Sequence, residues 1–159
     1  MGPLGSRAQF DKVLRYIDLG RAEGARLVTG GGRPADPRLA RGFFVEPTVF
    51  ADVTAGMHIA REEIFGPVLS VLRWDDEAAM LRDVNAVEYG LTAAIFTRDL
   101  ATAHRIAGQV EAGYVWVNQA GPHFPGAPFG GVKQSGIGRE ESLEELLEFT
   151  QLKNVNVRL

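Results

Sequence analysis

Hydrophobic side chains recur along this chain in short runs whose spacing alternates between helical and extended. Near the start, one set recurs at the spacing of an amphipathic helix. The residues that share this predicted face are Phe10, Val13, Leu14 and Ile17. Gly20 and Gly24 lie where such a helix would end, so the pattern predicts one core-facing helix.

Several runs rich in β-branched and aromatic residues predict strands. They cover residues 26–29, 43–53, 68–74, 91–97 and 114–118. Pro47 interrupts the second run and cannot donate a ladder hydrogen bond, so this run is predicted to be an edge or irregular strand.

Two further helices are predicted between the later strands. Asp75 or Asp76 is expected to cap the first, which runs to about Val87. Asp99 is expected to cap the second, which Gly113 ends. The residues predicted to face the core are Leu81, Val84, Ala103, Ile106, Ala107 and Val110.

The order strand, helix, strand, helix, strand with short links is typical of an α/β fold. It predicts a mostly parallel sheet with right-handed helical crossovers. Ligands of such sheets bind at the C-terminal ends of strands, here Trp74, Thr97 and Asn118. Only Asn118 opens into a long loop, residues 119–138. Loops of that length are usually functional or disordered, and His123, Phe124 and Phe129 favour the functional alternative here.

The C-terminal part is predicted to form an acidic helix and then a half-buried strand. The helix covers residues 139–149, and the strand covers residues 154–159, where apolar and polar residues alternate. The leucines predicted to point inward from the helix are Leu143, Leu146 and Leu147.

Composition excludes several classes of protein. A chain of 159 residues with 45% hydrophobic and 23% charged residues is an ordinary globular chain. A net charge of −3 without a basic stripe argues against nucleic-acid binding. No apolar run has the length of a membrane span or a signal peptide, which predicts a cytoplasmic protein. With no cysteine and only three scattered histidines, no metal site is expected.

A glycine-rich stretch formally matches a dinucleotide-binding fingerprint. Residues 30–35 fit Gly-x-Gly-x-x-Ala, but Pro34 and Pro37 make the required helix improbable, so residues 30–42 are predicted to be a surface loop. Residues 126–133 resemble a phosphate-binding loop only in part, because Val132 separates the glycine from the lysine.

The chain is organised around residues 61–67, which are predicted to place two acids and an aromatic ring on a sharp turn. Gly66 permits unusual dihedral angles and Pro67 fixes the next one, so the turn would aim Glu63 and Phe65 at a ligand. Taken alone, the stretch is also typical of a helix end with two solvated acids and one core phenylalanine.

Five linked motifs resemble the C-terminal part of the catalytic domain of the aldehyde dehydrogenase superfamily, in both order and spacing. They are Glu62-Glu63-Ile64-Phe65-Gly66-Pro67, Tyr89-Gly90-Leu91-Thr92-Ala93, Trp116-Val117-Asn118, Pro128-Phe129-Gly130-Gly131 and Lys133-Gln134-Ser135-Gly136-Ile137-Gly138-Arg139-Glu140.

The resemblance implies a reaction that oxidises an aldehyde to a carboxylic acid. In that family a cysteine thiolate forms a thioester, hydride passes to NAD or NADP, and a glutamate activates the hydrolytic water. It also implies that the nucleophile and the dinucleotide-binding domain belong to a preceding part of the enzyme. The present chain, without cysteine, is therefore expected to be an inactive fragment with no catalytic residue of its own.

The resemblance also assigns binding residues. Glu63 matches a glutamate that binds the nicotinamide ribose hydroxyls, and Phe65 matches the ring beside the nicotinamide. Phe129 matches the aromatic residue at the base of the aldehyde tunnel, while His123 and Phe124 fall on the variable loop at its mouth.

These expectations give a division of the chain. Residues 1–6 are predicted to be the remnant of an expression tag, residues 7–150 a partial catalytic domain, and residues 151–159 an oligomerisation strand. A homo-oligomer is therefore expected. The alternative function is a catalytically silent module that pairs with intact subunits through this terminal strand.

Overall fold

The computed structural model describes residues 1–159, which divide into two compact units, residues 1–77 and residues 78–159. The elements of the first unit are helices α1 (Arg7–Ala22) and α2 (His58–Arg61), strands β1 (Arg26–Thr29), β2 (Thr48–Ala51) and β3 (Val68–Ser70), and a 3-10 turn (Pro37–Leu39). Helix α3 (Glu77–Asn85) begins at the boundary. The second unit also contains β4 (Tyr89–Gly90), β5 (Thr92–Ile95), α4 (Leu100–Ala107), β6 (Tyr114–Val117), β7 (Val132–Lys133) and α5 (Leu143–Glu148).

Helix α1 begins at a side-chain cap. The Ser6 hydroxyl accepts a hydrogen bond from the backbone N–H of Gln9 at 3.1 Å, which satisfies one of the free donors of the first turn. The Leu4 N–H donates to the Phe43 carbonyl at 2.9 Å, and Leu4 packs against the core. Residues 1–6 thus take part in the fold, although no role there was predicted for them. Their origin in an expression tag stays a prediction.

The sheet of the first unit has the order β1-β2-β3. β2 pairs with β1 antiparallel and with β3 parallel, so it is the central strand. The predicted edge position is therefore wrong. Pro47 precedes the strand instead of interrupting it, and the first strand residue, Thr48, donates its N–H to the Pro67 carbonyl at 2.8 Å.

The core of the first unit lies between α1 and this sheet. Phe10, Val13 and Ile17 are buried, which confirms the predicted face of α1, whereas Leu14 is only partly buried. They share one cluster with the fully buried Phe50 of β2. Burying each of these side chains stabilises the fold by about 1.5–3 kcal/mol.

The second unit contains the predicted β-α-β arrangement. β5 and β6 pair in parallel and α4 connects them. Asp99 caps α4, as predicted, by accepting hydrogen bonds from the N–H groups of Ala101 and Thr102 at 3.1 and 3.3 Å. The helix ends at Ala107 with Gly108 as its cap, earlier than the predicted stop at Gly113.

The fold is α/β, but its strands form three separate sheets of three, two and two strands. β3 pairs with β2 and β5 pairs with β6, so the strands predicted to share one mostly parallel sheet lie in separate sheets. The third sheet pairs β4 with β7 antiparallel, and β7 lies within the segment predicted to be a loop. Strands of two residues are too short to show a periodic pattern.

Several residues predicted to be buried are exposed. Val84 is 44% exposed, and α5 is shorter than predicted, with none of its residues buried. The α5 leucines Leu143, Leu146 and Leu147 are 64, 64 and 57% exposed, so their predicted inward orientation is wrong. Residues 151–159 form no strand and are exposed throughout, because no other part of the single chain covers them.

Candidate functional site

The turn at residues 61–67 follows directly from α2. Phe65, not Gly66, adopts the left-handed backbone conformation, with φ of 56°, so the prediction that glycine supplies the unusual dihedral angle is wrong. Gly66 is required for packing, because a Cβ atom there would lie 2.4 Å from the Cγ2 atom of Val13. The turn is therefore pressed directly onto the core face of α1.

Two side chains of α1 hold the backbone of this turn. The Gln9 amide donates to the carbonyls of Ile64 and Phe65 at 2.9 and 2.7 Å. The Lys12 ammonium donates to the Glu63 carbonyl at 2.8 Å. Three successive carbonyls are thus fixed to a helix, which holds an otherwise unfavourable conformation at Phe65 in place.

The two acids of the turn differ in their surroundings. The Tyr16 hydroxyl donates to the Glu62 carboxylate at 2.5 Å, and this hydrogen bond raises the pKa of Tyr16. The Glu63 carboxylate is exposed and accepts no hydrogen bond from the chain. Adjacent glutamates cannot be distinguished in sequence, and only the fold shows that Glu63 is the one available to a ligand.

Phe65 lies on the surface, with 73% of the residue exposed, so it is not the core residue of a plain helix end. A free carboxylate two residues from a fixed, exposed ring suits a ligand with vicinal hydroxyls next to a flat heterocycle. The chemistry of this pair thus fits a nicotinamide riboside.

The second unit carries an aromatic cluster, defined here as Tyr114, Trp116, His123 and Phe129. The His123 and Phe129 rings are stacked with centroids 4.3 Å apart. Tyr114 lies 5.4 Å from Phe129 and 4.9 Å from Trp116. The indole N–H of Trp116 donates to the Pro122 carbonyl at 2.8 Å, which fixes the loop immediately before His123.

Of the three residues predicted to bind substrate, the fold brings two together. His123 and Phe129 belong to the aromatic cluster, whereas Phe124 is 51% exposed and makes no ring contact there. Tyr114 and Trp116 were not among the residues predicted for this site. The alternation of side chains along a strand could have indicated both, since residues two apart lie on one face.

The strand end at Asn118 closes the parallel pair β5 and β6. Its side-chain oxygen accepts from the Thr97 N–H and its side-chain nitrogen donates to the Thr97 carbonyl, both at 2.9 Å. Asn118 has φ of 56°, and the chain turns there into the long loop. Asn118 thus joins the ends of β5 and β6 at the point where the loop that carries His123 and Phe129 begins.

None of the helices combines the length and the apolar character that crossing a membrane requires. Glu63 and Phe65 lie in the first unit, and the aromatic cluster lies in the second.

The profile of the aldehyde dehydrogenase family matches residues 1–155. Among curated proteins, aldehyde dehydrogenase tropH of Talaromyces stipitatus is 59% identical over 162 residues, which covers 100% of this chain and 32% of that protein. The betaine aldehyde dehydrogenase of Sinorhizobium fredii is 55% identical over 157 residues, covering 99% of this chain and 32% of that protein. The chain spans about a third of the length of these relatives.

Solved structures show the same likeness. The NAD+ complex of an aldehyde dehydrogenase from Bacillus cereus superposes with a TM-score of 0.89 and 45% identity over 96% of this chain and 30% of that one. An aldehyde dehydrogenase of Mycobacterium tuberculosis in complex with NAD+ gives 0.89 and 47% over 95% of this chain and 31% of that one. With its motifs, profile and fold in agreement, the chain belongs to the aldehyde dehydrogenase family.

Proposed function

We propose that this chain supplies part of the cofactor site and part of the aldehyde site of an NAD(P)-dependent aldehyde dehydrogenase. The parent enzyme oxidises an aldehyde to a carboxylic acid through a cysteine thioester. The observation that carries this proposal is the turn that presents an unpaired Glu63 carboxylate and an exposed Phe65 ring from a backbone fixed to α1.

The cofactor assignment follows from the chemistry of these two side chains. The Glu63 carboxylate accepts hydrogen bonds from the two vicinal hydroxyls of the nicotinamide ribose. The Phe65 ring lies against the nicotinamide and keeps water from the path of the hydride. The nicotinamide, when bound, accepts that hydride, while the chain's own residues only bind and orient it.

The aldehyde assignment rests on the aromatic cluster. Phe129 forms the inner wall of the aldehyde site, and His123 and Phe124 form its mouth. The stacked His123 and Phe129 rings offer a rigid, largely apolar surface, which suits the organic group of an aldehyde. Substrate choice is set by this surface and not by the reacting carbon.

The thiolate of the proposed reaction comes from outside this chain, because the chain has no cysteine. Without a nucleophile the covalent intermediate cannot form. We therefore propose that the chain by itself does not oxidise aldehydes, and that the longer enzyme to which it belongs does.

Absorbance of reduced nicotinamide tests this proposal. The full-length protein, mixed with an aldehyde and NAD+ or NADP+, should give a signal that needs both, and the present chain should give none. The preparation must be free of host dehydrogenase. An aldehyde-dependent signal from the chain alone, or none from the full-length protein with any aldehyde tried, would contradict the proposal.

A second candidate is a catalytically silent module that pairs with intact subunits. The exposure of Leu152, Val155, Val157 and Leu159 favours it, because such a tail is free to join a sheet of another chain. Mixing the chain with the active full-length enzyme distinguishes the two. Incorporation into the oligomer with a change in its activity supports the silent module, whereas no incorporation argues against it.

A further inference from the structure

The aromatic cluster is anchored to the segment just before α5 at three points. The first two are backbone contacts. Phe129 and Glu140 exchange hydrogen bonds at 2.9 and 2.7 Å, and the Gly126 N–H donates to the Glu141 carbonyl at 2.8 Å. The third is a side-chain contact, in which His123 Nδ1 lies 2.7 Å from a carboxylate oxygen of Glu141.

Glu141 has an energetically unfavourable backbone conformation. Its φ of 63° lies in the left-handed region, which favours glycine and disfavours a long side chain. Residues persist in such conformations only where surrounding contacts hold them, and they collect at functional sites. Three hydrogen bonds hold Glu141 in this conformation. Its carbonyl accepts from the Gly126 N–H, its N–H donates to the Glu145 carboxylate at 2.7 Å, and its carboxylate pairs with His123 Nδ1.

The bond to His123 fixes the orientation of the imidazole. With Nδ1 directed at the carboxylate, the ring plane lies 28° from that of Phe129, at stacking distance. The His123 and Glu141 side chains are 37 and 34% exposed, so the contact contributes little to overall stability but still defines a ring orientation.

From these contacts we infer that Glu141 is a positioning residue for the aromatic cluster. It holds His123 stacked on Phe129 and thereby sets which aldehydes the site accepts. The specificity part of this inference rests on the proposed function, whereas the positioning part concerns this chain alone. Without Glu141, the imidazole leaves Phe129 and the mouth of the site becomes wider and less rigid.

Proton NMR on the present chain tests the positioning. A ring stacked on Phe129 shifts the carbon-bound protons of His123 upfield, and the signals are assigned with His123→Gln among only three histidines. Glu141→Gly removes the carboxylate while suiting the left-handed backbone, and Glu141→Asn is a second such variant whose side chain is too short to reach. Both should return the His123 shifts to those of an unstacked ring.

Two further variants distinguish the contact between Glu141 and His123 from a general effect of removing an acidic side chain. Glu141→Gln keeps an oxygen acceptor and should retain most of the upfield shift. Glu88→Gly removes an exposed acid elsewhere in the same unit and should leave the shift unchanged. If the His123 shift survives in folded Glu141→Gly or Glu141→Asn, Glu141 does not position His123 and the inference is overturned.

Steady-state kinetics of the full-length enzyme test the specificity. Glu141→Gly should raise KM for benzaldehyde several-fold while leaving KM for acetaldehyde, which is too small to reach the mouth, and kcat for both nearly unchanged. Equal KM values in variant and parent for both aldehydes would overturn the specificity role. Failure of the proposed function looks different, because the unaltered parent would then oxidise neither aldehyde while the NMR result would still decide the positioning.

Discussion

At the scale of single residues, position in the fold separates side chains that the sequence makes equivalent. Glu62 and Glu63 are adjacent acids on one turn, yet Tyr16 donates a hydrogen bond to the Glu62 carboxylate and no group of the chain donates one to the Glu63 carboxylate. A buried tyrosine bonded to a carboxylate is a structural contact, whereas an unpaired carboxylate beside an exposed ring suits a ligand.

This difference predicts that the same substitution at the two acids affects different properties, cofactor binding at Glu63 and thermal stability at Glu62. In the full-length enzyme, Glu63→Gln should weaken cofactor binding by about 1.5–3 kcal/mol, the value of a hydrogen bond to a charged group, and leave the melting temperature unchanged. Glu62→Gln, the matched control, should lower the melting temperature and leave cofactor affinity unchanged. Cofactor titration and thermal melts of both variants measure this, and early melting of Glu63→Gln with normal binding would refute the cofactor role.

A second residue pair makes stability depend on pH. The carboxylate of Glu23 pairs with the His58 imidazole, and its second oxygen accepts from the His58 N–H at 2.9 Å. This hydrogen bonding raises the pKa of His58 above its ordinary 6.5 and lowers the pKa of Glu23 below its ordinary 4.5. The pair thus stabilises the first unit most in the window between those two ordinary values.

The two groups make the free energy of unfolding depend on pH in opposite directions. The contribution of His58 is complete below pH 6.5 and is lost as pH rises through the raised pKa, while that of Glu23 is lost as pH falls through the lowered pKa. The urea midpoint should therefore decrease above pH 6.5. His58→Gln should flatten this decrease, and His104→Gln in the second unit should not. If the urea midpoint of His58→Gln decreased above pH 6.5 as steeply as that of the parent, the pair of His58 and Glu23 would not be the cause of the pH dependence.

At the scale of elements, the turn at residues 61–67 depends on α1. Gln9 and Lys12 bind its carbonyls, and Val13 packs where a Gly66 side chain would be. The same helix therefore supplies both the core face and the support of the candidate cofactor wall. Substitutions where α1 contacts this turn should therefore alter both the stability of the first unit and the placement of Glu63 and Phe65.

Gly66→Ala tests this contact. The added methyl group meets a fully buried Val13 and should destabilise the first unit by about 1–3 kcal/mol, as overpacking does. Val13→Ala in the same chain should recover part of the loss, because it vacates the space. Gly32→Ala is the control, since nothing lies within 4 Å of its added methyl group. Urea unfolding is measured for the parent, the two single variants, the double variant and the control, and additive losses in the double variant would exclude a direct clash.

At the scale of the whole molecule, the exposed apolar side chains concentrate near the C-terminus. They include Leu146, Leu147, Phe149, Leu152, Val155, Val157 and Leu159. A single chain gives these residues no cover, and exposed apolar surface of this kind marks interfaces. The terminal segment, residues 151–159, also offers unpaired backbone donors and acceptors to a second chain.

The chain should therefore self-associate through residues 153–159. Light scattering at micromolar concentration should give the mass of a dimer or larger species, and removal of residues 153–159 should lower it. Val157→Asp, which charges the apolar face of the alternating segment, should also lower it, whereas Asn156→Asp on the opposite face should have little effect. A monomeric intact chain, or a mass unchanged by truncation, would exclude the strand as the association element.

The family, the core face of α1, the Asp99 cap and the parallel β5-α4-β6 unit were all predictable from the sequence. These features depend on local chemistry, namely the period of apolar residues, a capping side chain and short links, so neighbours in sequence suffice to predict them. The motif spacing likewise selected the turn at residues 61–67, which the structure shows as a surface feature with an exposed ring.

Three other features depend on tertiary contacts: the central position of β2, the left-handed conformation at Phe65 and the hydrogen bond between His123 and Glu141. The tertiary structure also left the α5 leucines exposed where an apolar pattern had predicted burial. Each of these outcomes depends on residues far apart in the sequence, because pairing, close approach and cover are set by which surfaces meet. A one-dimensional pattern records that a side chain is apolar or charged, but not which partner it contacts.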